Sequence, residues 1–131
     1  MVSSLMNGVR VAAAVVTMAN LTACAGIANR PPRLAHSSYG CMQAVLHDKL
    51  PSGLPDKRAH CLAGGLISRY CSITEAYLAG AGKEVRDLLG YGDAEWADWQ
   101  ADRVGIACAR GAADDAAVAE CCTGRGYPDK K

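Results

Sequence analysis

Six cysteines between residues 41 and 122 constrain this 131-residue chain more than any other feature. They are Cys41, Cys61, Cys71, Cys108, Cys121 and Cys122; a seventh, Cys24, stands apart near the start. The chain has no phenylalanine and two tryptophans, Trp96 and Trp99. A core of Ala, Leu, Ile, Val and Cys buries less apolar area per residue than an aromatic one, so crosslinks must add stability. No C-x-x-C spacing occurs, which speaks against a thiolate metal site or a redox pair. An even set in an exported domain reads as three disulfides. Six cysteines allow fifteen connectivities. A bridge between the adjacent Cys121 and Cys122 is too strained to count among them, and the rest stay open.

Export is read from the first residues. Arg10 and the amino terminus flank the apolar run Val11–Leu21. As a helix this run rises only about 16 Å, roughly half of a bilayer core. It is too short for a span and suits a cleaved signal. Leu21-Thr22-Ala23-Cys24 follows, with Leu three residues before the cut, two small residues, then Cys. This stretch resembles the lipobox of bacterial lipoproteins. The resemblance implies removal of 1–23 as a signal peptide and a diacylglyceryl thioether on Cys24, usually with a further amide-linked acyl chain such as palmitate. Two acyl chains hold a protein stably to a membrane where one is marginal. Ala25 follows Cys24, where Asp would imply retention in the inner membrane. The implied location is the cell envelope, lipid-anchored to the outer membrane and facing the periplasm.

Residues 24–131 suffice for one small domain with one core. The chain has 14 basic and 13 acidic side chains, and loss of Arg10 with the leader balances them. A nucleic-acid binder should carry a clear basic excess, so that partner class is excluded, as is a polybasic membrane patch. Residues 24–38, with Gly26, Pro31, Pro32 and Ser37-Ser38, read as a tether. From Tyr39 the pattern is helical, with almost none of the β-branched alternation that strands need. Helices are expected over about 39–49, 56–71, 72–89, 93–110 and 114–122. The Pro51-Ser52-Gly53-Leu54-Pro55 break separates the first two. Ser72 and Glu75 have capping-box spacing. Gly90 suits a left-handed C-cap of the third helix, and Asp93 could cap the fourth. Residues 123–131 read as an irregular tail. Short connections favour antiparallel neighbours, so the fold class is all-α: a small disulfide-stapled bundle of four to five helices over 39–122.

Charged and small residues coincide on the helix faces. Asp98, Ala101, Asp102 and Gly105 share one face of the fourth helix. Gly80 precedes Glu84 by one turn on the third, with Asp87 beyond. His60 and Gly64 are neighbours on the second. Glycine inside a helix costs about 1 kcal/mol against Ala. Close helix approach around a shared polar centre explains why three helices tolerate it. The expected centre comprises His60, Glu84, Asp98 and Asp102, with Lys57, Lys83 and Asp87. Trp96 and Trp99 are read as core; His36 and His47 are read as surface.

Asp56-Lys57-x-x-His60, Lys83-Glu84-x-x-Asp87 and Trp96-x-Asp98-x-x-x-Asp102-x-x-Gly105 together resemble the YfiM-like family of periplasmic lipoproteins. The likeness covers residues 56–105. It implies a small helical domain and carries no established activity with it. Two features depart from the family: Cys61 stands where members commonly have an aromatic, and the six-cysteine set is not a family trait.

The main functional expectation is an envelope lipoprotein that acts as a structural or interaction module, without a cofactor. Its partners are the membrane, through the lipid, and an envelope protein. In that reading Lys57, Lys83 and His60 neutralise the carboxylates, since buried charges must be paired. The alternative is a metal-dependent hydrolase acting on an envelope substrate. His60 with Glu84, Asp98 and Asp102 would offer a nitrogen and oxygens to a divalent transition metal, and a spare carboxylate could serve a metal-bound water as base. The sequence has no H-E-x-x-H pair, no G-x-S-x-G nucleophile and no P-loop spacing around Gly80-Ala81-Gly82-Lys83.

Overall fold

A computed structural model describes residues 30–129. The expected signal peptide and Cys24 lie outside them. The described residues form five α-helices and no strand. They are α1 (Ser38–Asp48), α2 (Asp56–Tyr70), α3 (Ile73–Arg86), α4 (Trp96–Ala109) and α5 (Asp115–Gly124), with a π turn over Asp87–Tyr91 after α3. All-α architecture with three disulfides is the fold the cysteine count and helical periodicity predict.

Local chemistry sets most of the boundaries. The Ser37 side chain accepts from the Gly40 amide at 3.1 Å and opens α1. Ser72 accepts from Glu75 N–H at 3.1 Å and opens α3. Asp114 accepts from Ala117 N–H at 2.8 Å and opens α5. Each satisfies one of the amide donors that a helix start leaves unpaired. Gly90 sits at φ 93°, the left-handed region that glycine enters freely, and the chain turns there toward α4. Three expectations shift. Asp93 does not cap α4, which starts at Trp96 after an uncapped Glu95. α3 gives way to the π turn at Asp87 rather than running on to Leu89. α5 extends to Gly124, into the stretch read as tail.

α2 is the hub, touching all four other helices and packing most extensively on α4. Gly105 makes that approach possible, because a Cβ there would overlap the Cys61 carbonyl of α2. Gly65 answers it from α2, where a Cβ would lie 2.9 Å from the Gly105 carbonyl oxygen. Two apolar clusters flank the α2–α4 seam. One joins Cys41, Val45, Leu66, Ile67, Cys71, Ala76 and Ile106. The other joins Cys61, Leu62, Ala101, Cys108, Val118 and Cys122. The disulfides run through them: Cys41–Cys71 ties α1 to the end of α2, Cys61–Cys122 ties α2 to α5, and Cys108–Cys121 ties α4 to α5. The adjacent Cys121 and Cys122 thus serve two different helices.

Polar clamps finish the bundle. Arg33, within the stretch read as tether, pairs with buried Glu75 at the start of α3, with Arg33 Nη1 2.9 Å from Glu75 Oε2. That bond, helped by Ser72, holds the Glu75 carboxyl down at about 2. Asp115 receives Tyr70 Oη at 2.7 Å and Arg69 Nε at 3.2 Å, fastening α5 to the end of α2.

Candidate functional site

The polar centre forms where α2, α3 and α4 meet. His60, one turn into α2, faces α4 with both ring nitrogens. Nδ1 lies 3.0 Å from Asp102 Oδ1, and Nε2 lies 3.4 Å from Asp98 Oδ2 and 3.9 Å from Asp56 Oδ1. Asp98, 2% exposed, is the hub. Its Oδ1 accepts from Lys57 Nζ, and its Oδ2 accepts from Lys83 Nζ at 2.9 Å. Lys57 also reaches Asp56 at 2.9 Å and Glu95. Lys83 also holds Asp87 at 2.9 Å, one helical turn away.

The expected residues divide clearly. His60, Asp98, Asp102, Lys57, Lys83 and Asp87 form one linked set of ion pairs. Glu84 sits at its edge: Oε2 accepts the Glu95 amide at 3.1 Å, and Oε1 stands 3.6 Å from Lys83, beyond hydrogen-bond reach. Of the four residues expected to ligate a metal, His60 and Asp98 fall with Asp56 in a trio whose ligand atoms lie within 4.8 Å of one another. Glu84 and Asp102 fall outside that trio. Sequence reasoning placed Asp56 near a helix start and left Glu95 out. Asp56 was detectable by its i, i+4 relation to His60; Glu95 falls within the expected fourth helix but lies in the connection before α4, and its partner Lys57 is 38 residues away.

Electrostatics follow from this wiring. Burial disfavours the Asp98 carboxylate, but the two lysines outweigh it and bring its pKa down to about 2. Burial works against charge on the lysines too. Bonds to Asp98, with Glu95 and Asp56 for Lys57 and Asp87 for Lys83, raise both above the ordinary lysine value. His60 is likewise penalised by burial, yet Asp102 and Asp98 raise its pKa overall. Asp102 ends higher than an ordinary carboxyl, because burial outweighs the His60 bond. Its Oδ2 is buried with no hydrogen-bond partner among the described residues.

Small residues shape the space around Asp102. A Cβ on Gly80 would lie 2.5 Å from Asp102 Oδ2, and one on Gly64 would lie 2.5 Å from the Asp102 carbonyl oxygen. Gly64, Gly80 and Gly105 therefore stand at close helix approaches, as their spacing predicts. A small cavity of about 160 Å³ borders His60, Asp102 and Lys83, with Leu46, Ile67 and Ala76 among its walls. A larger cleft of about 810 Å³ opens beside Asp56, Lys57 and Glu95 toward Tyr127.

Trp96 reverses its expected role: it is 66% exposed at the first position of α4. Its neighbour Trp99 is half-buried against Tyr77, with ring centroids 5.9 Å apart. His36 and His47 are exposed.

No family model matches this sequence, and no curated protein or solved structure matches it either.

Proposed function

We propose that the chain is a lipid-anchored envelope lipoprotein of the outer membrane, facing the periplasm, whose helical domain is a structural or interaction module without catalytic chemistry. One observation carries the non-catalytic part. Asp98 and His60 are internally engaged: Asp98 accepts from two lysines, and His60 has a carboxylate at each ring nitrogen, while the unpaired Asp102 Oδ2 is buried against Gly80. A general base needs a free lone pair within reach of the proton it takes. His60, flanked by Asp102 and Asp98, has both ring nitrogens directed at carboxylates rather than at an open site. The anchor rests on the lipobox residues Leu21 to Cys24 and the resemblance they carry. The likeness of residues 56–105 to the YfiM-like lipoproteins agrees with this reading.

The test of the anchor is metabolic labelling with a fatty acid. Wild type should take up label and Cys24→Ser should not, because the thiol is the acyl acceptor. Equal labelling of both removes the lipoprotein reading.

The metal-dependent hydrolase is the second reading, and the Asp56–His60–Asp98 trio favours it. A divalent ion there would have to displace Lys57 and Lys83 from Asp98. Elemental analysis of the oxidised, purified chain decides between the readings. We expect no stoichiometric transition metal; one equivalent, lost in Asp98→Asn, establishes the metal site.

A further inference from the structure

The end of the bundle where α3 passes through the π turn into α4 is unlike the rest of the surface. Val85, Leu88, Leu89, Tyr91 and Trp96 are all exposed there, Leu88 at 76%. Val85, Leu88, Trp96 and Trp99 also wall an apolar cleft of about 370 Å³. Three nearby acidic groups are paired, Asp87 with Lys83, Glu95 with Lys57 and Glu84 with the Glu95 amide, while Asp93 and Arg86 are exposed at the rim of the patch. Contiguous exposed apolar surface on a small domain marks an interaction site.

The composition of the patch narrows the partner. Paired leucines beside a tyrosine and a tryptophan suit the boundary between headgroups and acyl chains, where an apolar ring with one polar atom is at home. The way the chain enters the domain leaves room for this. Arg33 is clamped to Glu75, at the opposite end of α3 from the patch. The 14 residues of α3 rise about 21 Å. The chain between Cys24 and Arg33 reaches at most about 30 Å when extended. A lipid on Cys24 therefore has enough chain to lie in the same surface that the patch touches.

We propose that the Val85–Trp96 end is a membrane-docking surface that lays the domain onto the bilayer holding its lipid. The proposal deepens the lipoprotein reading and rests on it for the proximity of a bilayer. Leu88, Leu89 and Trp96 enter the interfacial layer, and the Lys83–Asp87 and Lys57–Glu95 pairs tie the segments behind them to the polar centre. The patch has no basic cluster, so docking is driven by apolar burial rather than by anionic headgroups.

The test uses the full-length chain, purified in detergent and reconstituted with vesicles of phosphatidylethanolamine and phosphatidylglycerol whose acyl chains are brominated. Bromine quenches tryptophan that enters the acyl region. Emission that disappears in Trp96→Phe belongs to Trp96 and should be quenched in the wild-type chain. Quenching should persist in high salt and be lost in Leu88→Asp/Leu89→Asp. Both leucines are exposed, so this variant keeps its helical circular dichroism. An unquenched Trp96 in chain that carries the fatty-acid label overturns the docking surface and leaves the anchor standing. Quenching in chain without label overturns the anchor and leaves the surface standing. An unquenched Trp96 together with a dimer mass that Leu88→Asp/Leu89→Asp abolishes assigns the face to a second copy and overturns the proposal.

Discussion

Asp98→Ala removes the one carboxylate that two lysines and a histidine share, and its effect can be worked out from the geometry. Asp98 is buried, and its pKa falls from 3.8 to about 2 on folding. That shift alone makes the ionised carboxyl worth about 2 kcal/mol more to the fold than the protonated one. Deleting the side chain also takes one partner from each of Lys57, Lys83 and His60. In a dry site, breaking a buried pair costs about 3–5 kcal/mol. Here the lysine side chains are 32% and 36% exposed and can turn toward water, which trims the loss. Both also keep other partners, Glu95 and Asp56 for Lys57 and Asp87 for Lys83. His60, with a side chain only 10% exposed, has less room to adjust. We expect a loss of about 3 kcal/mol. Urea unfolding of oxidised protein at neutral pH measures it, with an unchanged slope showing that the unfolded state is the same. A loss under about 1 kcal/mol, the range of exposed ion pairs, refutes the claim that this network holds the helices together.

Acid should destabilise the wild type. The lowered Asp98 and Glu75 carboxyls contribute fully above their unfolded values near 4, and that contribution disappears as pH falls toward about 2. His60 has the opposite sense: its contribution is full below about 6.5 and fades as pH rises through its raised folded value. Asp102, also raised, likewise favours the fold most when protonated, so it partly offsets the acid loss. Urea melts across pH should show the acid limb flattened in Asp98→Ala. Gly105→Ala should lower stability by about 3 kcal/mol or more despite better helix propensity, because its methyl meets the Cys61 backbone and not a side chain that can rotate away; a neutral thermal melt would refute the close α2–α4 approach. Thiol counting on unreduced, denatured chain should find none of the six cysteines after Cys24 free. Peptide mapping should recover Cys41 with Cys71, Cys61 with Cys122 and Cys108 with Cys121, and any other connectivity counts against this packing.

The sequence states the fold more plainly than the site. Helix positions follow from signals confined to a few neighbouring residues: Ser72 with Glu75, Asp114 with Ala117, the Pro51–Pro55 break, and glycine at position 90. His60, Asp98 and Asp102 were legible as a cluster because each shares a helix face with a small residue, and small residues mark where helices touch. Glu95 and the Arg33–Glu75 clamp were not legible. Their partners lie 38 and 42 residues away, and nothing in a linear pattern encodes such a closure. Trp96 misled because size suggests burial. Its place at the first position of α4 decided otherwise, at the wall of an open cleft that it shares with Val85 and Leu88. Connectivity of the cysteines was illegible for the same reason as the long ion pairs: it is a property of which helices meet.

That Cys121 and Cys122 serve different helices governs the order in which the chain can be oxidised. A chain emerging amino end first can close Cys41–Cys71 as soon as α2 is out. The native partners of Cys61 and Cys108 appear only when nearly the whole sequence is out. Cys61 and Cys108 then meet two candidate partners one residue apart. Exchanging them gives an isomer with the same number of bonds and α5 turned by about 100° about its axis. Such an isomer buries the wrong face of α5 in place of Val118 and is correctable only by thiol–disulfide exchange. Refolding of reduced chain without a thiol catalyst should therefore accumulate some fully oxidised but misfolded isomer, and a thiol–disulfide exchange catalyst should deplete it.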